Sequence, residues 1–132
     1  VRGVNQLKEH SPEIYIGIMN QLKQISLQGS LHFKEHNTTD FLDDVVLFYQ
    51  ALKELGDRSG MPIISESHQK IFDIARAEGV AYKPSGAGSG DIGILFSDDT
   101  RRLAKAEEKV RTAGYFPMEI KVEEQGVRVL ET

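Results

Sequence analysis

Lys83-Pro84-Ser85-Gly86-Ala87-Gly88-Ser89-Gly90-Asp91 is the one stretch of this sequence whose residue types and spacing point to chemistry. Glycines at 86, 88 and 90 open backbone conformations that a Cβ forbids. Successive amide hydrogens can then converge into a concave anion nest. Ser85 and Ser89 add hydroxyl donors, and Lys83 adds a positive charge close by in sequence. Phosphate binding is the chemistry that such a set suits. A tight hairpin of small side chains is the plainer reading of the same residues, and composition leaves both open.

Familiar phosphate-loop formulas do not fit. The P-loop needs Gly-Lys followed by Ser or Thr, which is absent here. Gly88, Gly90 and Gly93 spell G-x-G-x-x-G, but a dinucleotide fingerprint opens a helix, and here a strand pattern follows. A protein-kinase glycine loop does lie between two strands, yet its Val-Ala-Ile-Lys, His-Arg-Asp and Asp-Phe-Gly companions are missing.

Other reactive side chains read as structure. His32 and His36 stand four apart, a spacing that would suit two metal ligands on one helix. Gly29-Ser30 predicts a loop there, and no third ligand is evident, so surface histidines are the reading. Asp43-Asp44 and Asp98-Asp99 are paired acids. The second pair stands at a helix start, where a carboxylate complements the helix dipole. Arg101, Arg102, Lys105, Lys109 and Arg111 are interleaved with Glu107 and Glu108, the pattern of a solvated helix face. Phe41, Phe48 and Tyr49 lie at helical spacing and read as core.

These residues need elements to hold them. Apolar spacing predicts a helix over 12–28, with Ser11 as cap, Pro12 in the first turn and Gly29 as the stop. A broad apolar stripe predicts a second helix over 38–58, capped by Asn37 or Thr39 and ended by Gly56 or Gly60. A third helix, about 66–78, follows a Ser65 or Ser67 cap. Residues 80–83 and 92–96 read as short strands on either side of the glycine loop. A fourth helix, 100–112, follows Ser97-Asp98-Asp99. Phe116, Met118, Ile120 and Val122 alternate strictly, which predicts a strand with one buried face. Glu124-Gln125-Gly126 reads as a turn, and Val127 and Val129 as part of a last strand. Helices first and strands later make this α+β, an antiparallel sheet covered on one face by helices.

The chain has 132 residues and a net charge of −4. That is one domain, residues 1–132, large enough to bury roughly two-thirds of its unfolded surface. Both halves carry a small excess of acid, so no basic footprint for nucleic acid is present. No apolar run has the length of a membrane span. There is no cysteine, which excludes a disulfide scaffold and a thiol nucleophile and suits a cytoplasmic protein. The chain begins at Val1 rather than Met, so a fragment or a processed chain is expected.

The stretch 83–91 with Ile92-Gly93-Ile94 resembles the third conserved motif of the galactokinase, homoserine kinase, mevalonate kinase and phosphomevalonate kinase superfamily. Lys-Pro-Ser before the glycines and Gly-Asp after them resemble its phosphomevalonate kinase branch. Weaker similarity runs through residues 5–15, 55–60 and 114–117, so nearly the whole chain is covered as the C-terminal half of such an enzyme. Two positions depart from the pattern: Ser89 stands where a further glycine is common, and Ile92 where a cysteine is common.

The resemblance implies a ferredoxin-like C-terminal domain and transfer of the ATP γ-phosphoryl group to 5-phosphomevalonate, with Mg²⁺, in isoprenoid biosynthesis. It implies phosphate contact by Ser85, Gly86, Ala87 and Gly88, supported by Ser89, Gly90, Asp91 and Lys83. The family's N-terminal half supplies the other phosphate loop, the nucleotide base pocket and the reacting Lys and Asp. None of these has a counterpart here, so no catalytic residue is expected in this chain, and the missing N-terminal kinase domain is an implied partner. Another kinase of the superfamily, for mevalonate or a sugar, and a non-catalytic anion- or protein-binding domain are the alternatives.

Overall fold

The computed structural model describes residues 2–86 and 92–126. The elements run α1 (Arg2–His10), α2 (Pro12–Lys34), α3 (Thr38–Ser59), α4 (Glu66–Ala77), β1 (Ala81–Pro84), β2 (Gly93–Phe96) and α5 (Thr100–Thr112). The fold is α+β and mostly helical, with an antiparallel β1–β2 hairpin as its described sheet.

Local chemistry sets most helix ends. Asn37 caps α3 by accepting from the Asp40 N–H, and Gly60 ends that helix at φ 64°, in the left-handed region that glycine enters without a Cβ penalty. Ser65 Oγ accepts the His68 N–H at the start of α4. Asp99 Oδ1 accepts from Arg101 N–H at 2.9 Å and Arg102 N–H at 3.2 Å at the start of α5. Each such cap contributes about 1 kcal/mol. Ser11 precedes Pro12 as expected, but its side chain makes no cap bond.

Helix α3 organises the interior. Its Ala51 and Leu55 join Leu7 of α1 and Ile18, Leu22 and Ile25 of α2 in one buried cluster. Tyr49 joins Ala75, Val80, Tyr82 and Ala106 in a second. Val45 and Val46 join Ala81 in a third. The Tyr49 ring stacks on Phe72 with centroids 3.9 Å apart, and its hydroxyl donates to Gln69 Oε1 at 3.1 Å. Tyr82 is 2% exposed, and its hydroxyl is 2.6 Å from His68 Nδ1. Burial pushes the Tyr82 phenol up to about 12, so it stays protonated through the neutral range.

Two sequence expectations are corrected, and one helix is new. The loop expected at Gly29-Ser30 is helix, because α2 continues to Lys34. Ser30 Oγ donates to the Ser26 carbonyl at 2.9 Å, so its polar group is satisfied inside the helix. Gly29 faces α3, where an added Cβ would lie 3.6 Å from the Asp44 side chain. Residues 116–122 form no strand, and Phe116, Met118, Ile120 and Val122 are 91%, 62%, 76% and 91% exposed. Alternation specifies which side chains share a face; a strand also needs a neighbouring edge to bond with, and no described segment supplies one. Helix α1 carries too little apolar periodicity to be read from sequence, since Leu7 is its one large buried side chain. The strand expected at Val127 and Val129 lies outside the described residues.

At the α2–α3 corner, buried Asp44 joins the two helices. Its Oδ2 accepts from His32 Nδ1 at 2.6 Å and its Oδ1 from Gln28 Nε2 at 3.2 Å. The hydrogen bond to Asp44 holds the His32 pKa above its ordinary value; partial burial opposes it, and the charges of Asp44, Asp40 and Glu35 add to it.

Two outcomes follow from this packing. Gly93, diagonal to Tyr82 across the strand pair, lies against its side chain, and a Cβ at 93 would fall within the Tyr82 ring and hydroxyl. Gly93→Ala should therefore destabilise the protein by about 1–3 kcal/mol, the usual cost of overpacking, as read by urea denaturation. A loss of a few tenths would show that Tyr82 moves aside freely. Because His32 titrates higher when folded, the charge pair's contribution is complete below the ordinary histidine pKa and fades as pH rises through the folded value. The urea midpoint of the protein relative to its Asp44→Asn variant should shrink between about pH 6 and about pH 9. A constant difference over that range would contradict this.

Candidate functional site

The glycine stretch connects β1 to β2, as the two short strand patterns predict. The register pairs Ala81 with Phe96, Tyr82 with Leu95, Lys83 with Ile94 and Pro84 with Gly93. Beyond the last pair, Ser85 N–H donates to the Ile92 carbonyl at 3.0 Å and closes the mouth of the loop. Ser85 is half-buried and Gly86 exposed. Gly86 adopts φ 86°, with open space where a Cβ would stand. The chain thus leaves the strand in a backbone conformation suited to glycine. Ala87, Gly88, Ser89, Gly90 and Asp91 lie outside the described residues.

Lys83 stands at the base of this loop. Its Nζ donates to the Pro84 carbonyl at 3.0 Å and lies 5.5 Å from the centroid of the Phe48 ring. Burial pushes its ammonium below the ordinary lysine value, because a charge loses hydration beside apolar groups. Among the described residues no carboxylate forms an ion pair with it. Sequence spacing placed Lys83 near the loop but not on an aromatic face; the contact comes from α3, some 35 residues upstream in the chain.

Chemically, the described part of the loop offers anion-binding groups. The Ser85 N–H is used within the hairpin, so the Ser85 hydroxyl, the Gly86 N–H and the Lys83 ammonium are the described donors at this end. A phosphate group fits that donor set. A Mg²⁺ ion does not: among the described residues no group of three or more carboxylate, imidazole or thiolate side chains could hold a metal. Of the His32–His36 pair, His32 is engaged with Asp44. No described helix is long and apolar enough to cross a membrane.

A helical unit presenting a glycine-rich hairpin describes a class of domain. Residues 40–115 match the family model of the C-terminal region of GHMP kinases. The chain belongs to this family, whose matched span runs from α3 through α5 and includes the loop. It is 33% identical over 91 residues to a phosphomevalonate kinase of Streptomyces sp. (strain CL190), an alignment that covers 67% of this chain and 24% of that enzyme. The chain therefore spans about a quarter of the length of the curated relative that it matches. A crystal structure of the Lin0012 protein from Listeria innocua has the same fold, with a TM-score of 0.81 at 24% identity, over 86% of this chain and 32% of that one.

The φ of Gly86 has a measurable consequence. Gly86→Ala should cost about 1–2 kcal/mol, the strain of placing a Cβ in the left-handed region, with no steric clash to add to it. Urea denaturation would read the loss, and Gly86→Asn should recover part of it. Equal stability of all three proteins would show that the loop relaxes to another conformation.

Proposed function

We propose that this chain is the C-terminal part of an ATP-dependent kinase that phosphorylates 5-phosphomevalonate, and that residues 83–91 cradle phosphate during the transfer. The observation that carries this reading is the placement of Lys83. A half-buried cation without a carboxylate partner among the described residues sits at the base of a loop carrying the nine-residue motif. The similarity to a phosphomevalonate kinase supports the choice of acceptor. A ferredoxin-like topology, one domain over 1–132, a cytoplasmic setting and an N-terminal kinase domain as partner belong to the same proposal.

Phosphoryl transfer asks little covalent chemistry of a protein; positioning and charge stabilisation dominate. ATP with its Mg²⁺ supplies the transferred group. In this reading the Ser85 hydroxyl and the amides of Gly86, Ala87 and Gly88 orient phosphate oxygens. Ser89 and Gly90 support that contact, and Lys83 adds positive potential. A carboxylate facing phosphate directly would repel it, so Asp91 is assigned either to accepting loop amides, the favoured role, or to helping hold Mg²⁺. Prearranged donors of this kind stabilise charge as it develops. The base and the nucleotide pocket come from outside this chain, so the chain alone is expected to be inactive.

The test uses the complete protein with ATP and Mg²⁺ and a panel of acceptors: 5-phosphomevalonate, mevalonate and sugars. Turnover of 5-phosphomevalonate is expected. Preference for an unphosphorylated acceptor would move the protein to another branch of the superfamily, and no turnover of any acceptor would favour a binding domain. A hydrogen bond to a charged group contributes roughly 1.5–3 kcal/mol. Ser85→Ala should thus lower kcat/KM by about tenfold to a hundredfold with little change in stability. A fully active Ser85→Ala enzyme would remove the phosphate-contact role.

A further inference from the structure

We propose that Phe48 is a positioning residue of the glycine-loop site: its ring holds the Lys83 ammonium charged and in place for the phosphate that residues 83–91 cradle. The phosphate half of this statement rests on the function proposed above; the hold of Phe48 on Lys83 does not. Phe48 reads as core in the sequence, and it does pack, half-buried, against the cluster that α1, α2 and α3 share. Its ring also lies 5.5 Å from Lys83 Nζ, within the roughly 6 Å reach of a cation–π contact.

Two contacts fix the ammonium. The Phe48 ring meets it from α3, and the Pro84 carbonyl accepts one of its protons at 3.0 Å. An ammonium has three N–H donors, and among the described residues the other two have no acceptor. Pro84 immediately precedes Ser85, whose N–H closes the mouth of the loop, so the charge is fixed at the loop's entrance. A lysine side chain gives up rotamer freedom when it grips an anion; one already held gives up less.

Burial and ring act on Lys83 in opposite directions. Burial pushes its ammonium below the ordinary lysine value, and among the described residues no charged group of α3, α4 or β2 contributes to that direction. The face of an aromatic ring carries negative potential, which favours the charged form, and the pull grows as water is excluded. Lys8 lies 5.8 Å from the Tyr15 ring but is exposed, so water already serves it. Lys83 is half-buried, and Phe48 offsets its lost hydration where the loop needs a cation.

Stepwise fluorination of the Phe48 ring tests this, because fluorine drains the negative face while nearly keeping the ring's shape. The Lys83 side chain is titrated by NMR, its resonance identified by its loss in Lys83→Met. Its midpoint should fall by about 0.5–1 on the pH scale from the unmodified to the trifluorinated ring. In the complete protein with ATP, Mg²⁺ and 5-phosphomevalonate, kcat/KM should fall about threefold to tenfold over the same series. The alkaline limb of its pH profile should move down with the Lys83 midpoint. In the Lys83→Met background the series should be silent. The proposal is overturned by a Lys83 midpoint that ignores fluorination, or by an equal loss of kcat/KM in Lys83→Met, which would make Phe48 a packing residue only. If no acceptor is turned over, the kinase reading fails and the titration alone decides the role of Phe48.

Discussion

A two-stranded hairpin is marginal in water by itself, and the candidate site here is the loop of such a hairpin. The constraint that makes it stand is the burial of β1 against α3 and α4. Ala81 and Tyr82 are 4% and 2% exposed, and their side chains belong to two clusters that α3 also builds. Tyr82 can be buried only because Gly93, on the paired strand, leaves room for its ring and hydroxyl. His68 then satisfies that hydroxyl from α4. One glycine, one tyrosine and one histidine thereby tie the hairpin to the helical layer.

Because β1 is held so firmly, what projects beyond it is placed as well. Lys83 follows Tyr82 and leaves the core beside Phe48, one residue before Tyr49 on the same helix. The helix that buries the strand therefore also supplies the aromatic face for the site's cation. Ser85 and Ile92 close the mouth just outside the last strand pair. The loop is thus carried on a rigid base, which is how a scaffold positions groups on a loop.

The other end of α3 shows the same economy. Asn37 caps the helix and also donates to Asp40. Asp44, one and two turns further along, is buried and held by Gln28 and His32 of α2. A buried carboxylate is costly unless it is paired and hydrogen-bonded, so the antiparallel packing of α2 on α3 and the state of His32 are linked. Asp43-Asp44 read as one acidic pair in sequence, yet Asp43 is exposed and Asp44 buried.

Much of the fold was legible in the sequence, because the signals involved are local. Asn37 or Thr39, Ser65 or Ser67, and Ser97-Asp98-Asp99 marked helix starts, Gly56 or Gly60 marked a helix end, and apolar spacing marked the faces of α2 to α5; the structure chose Asn37, Ser65, Asp99 and Gly60. The motif at 83–91 pointed to the family that the matched span bears out. Of the candidate site, the sequence by itself determined residue types and order: hydroxyls, glycines and a lysine between two short strands. Tertiary structure alone decided which partners each residue met. Asp44 finds His32 twelve residues away, Gly93 makes room for Tyr82, and Lys83 rests on Phe48. Residues 116–122 alternate as a strand does but meet no described edge. The physical reason is common to all of these: period and propensity act over one or two turns of chain, whereas burial, pairing and the cost of an unmet charge depend on groups brought together only by folding.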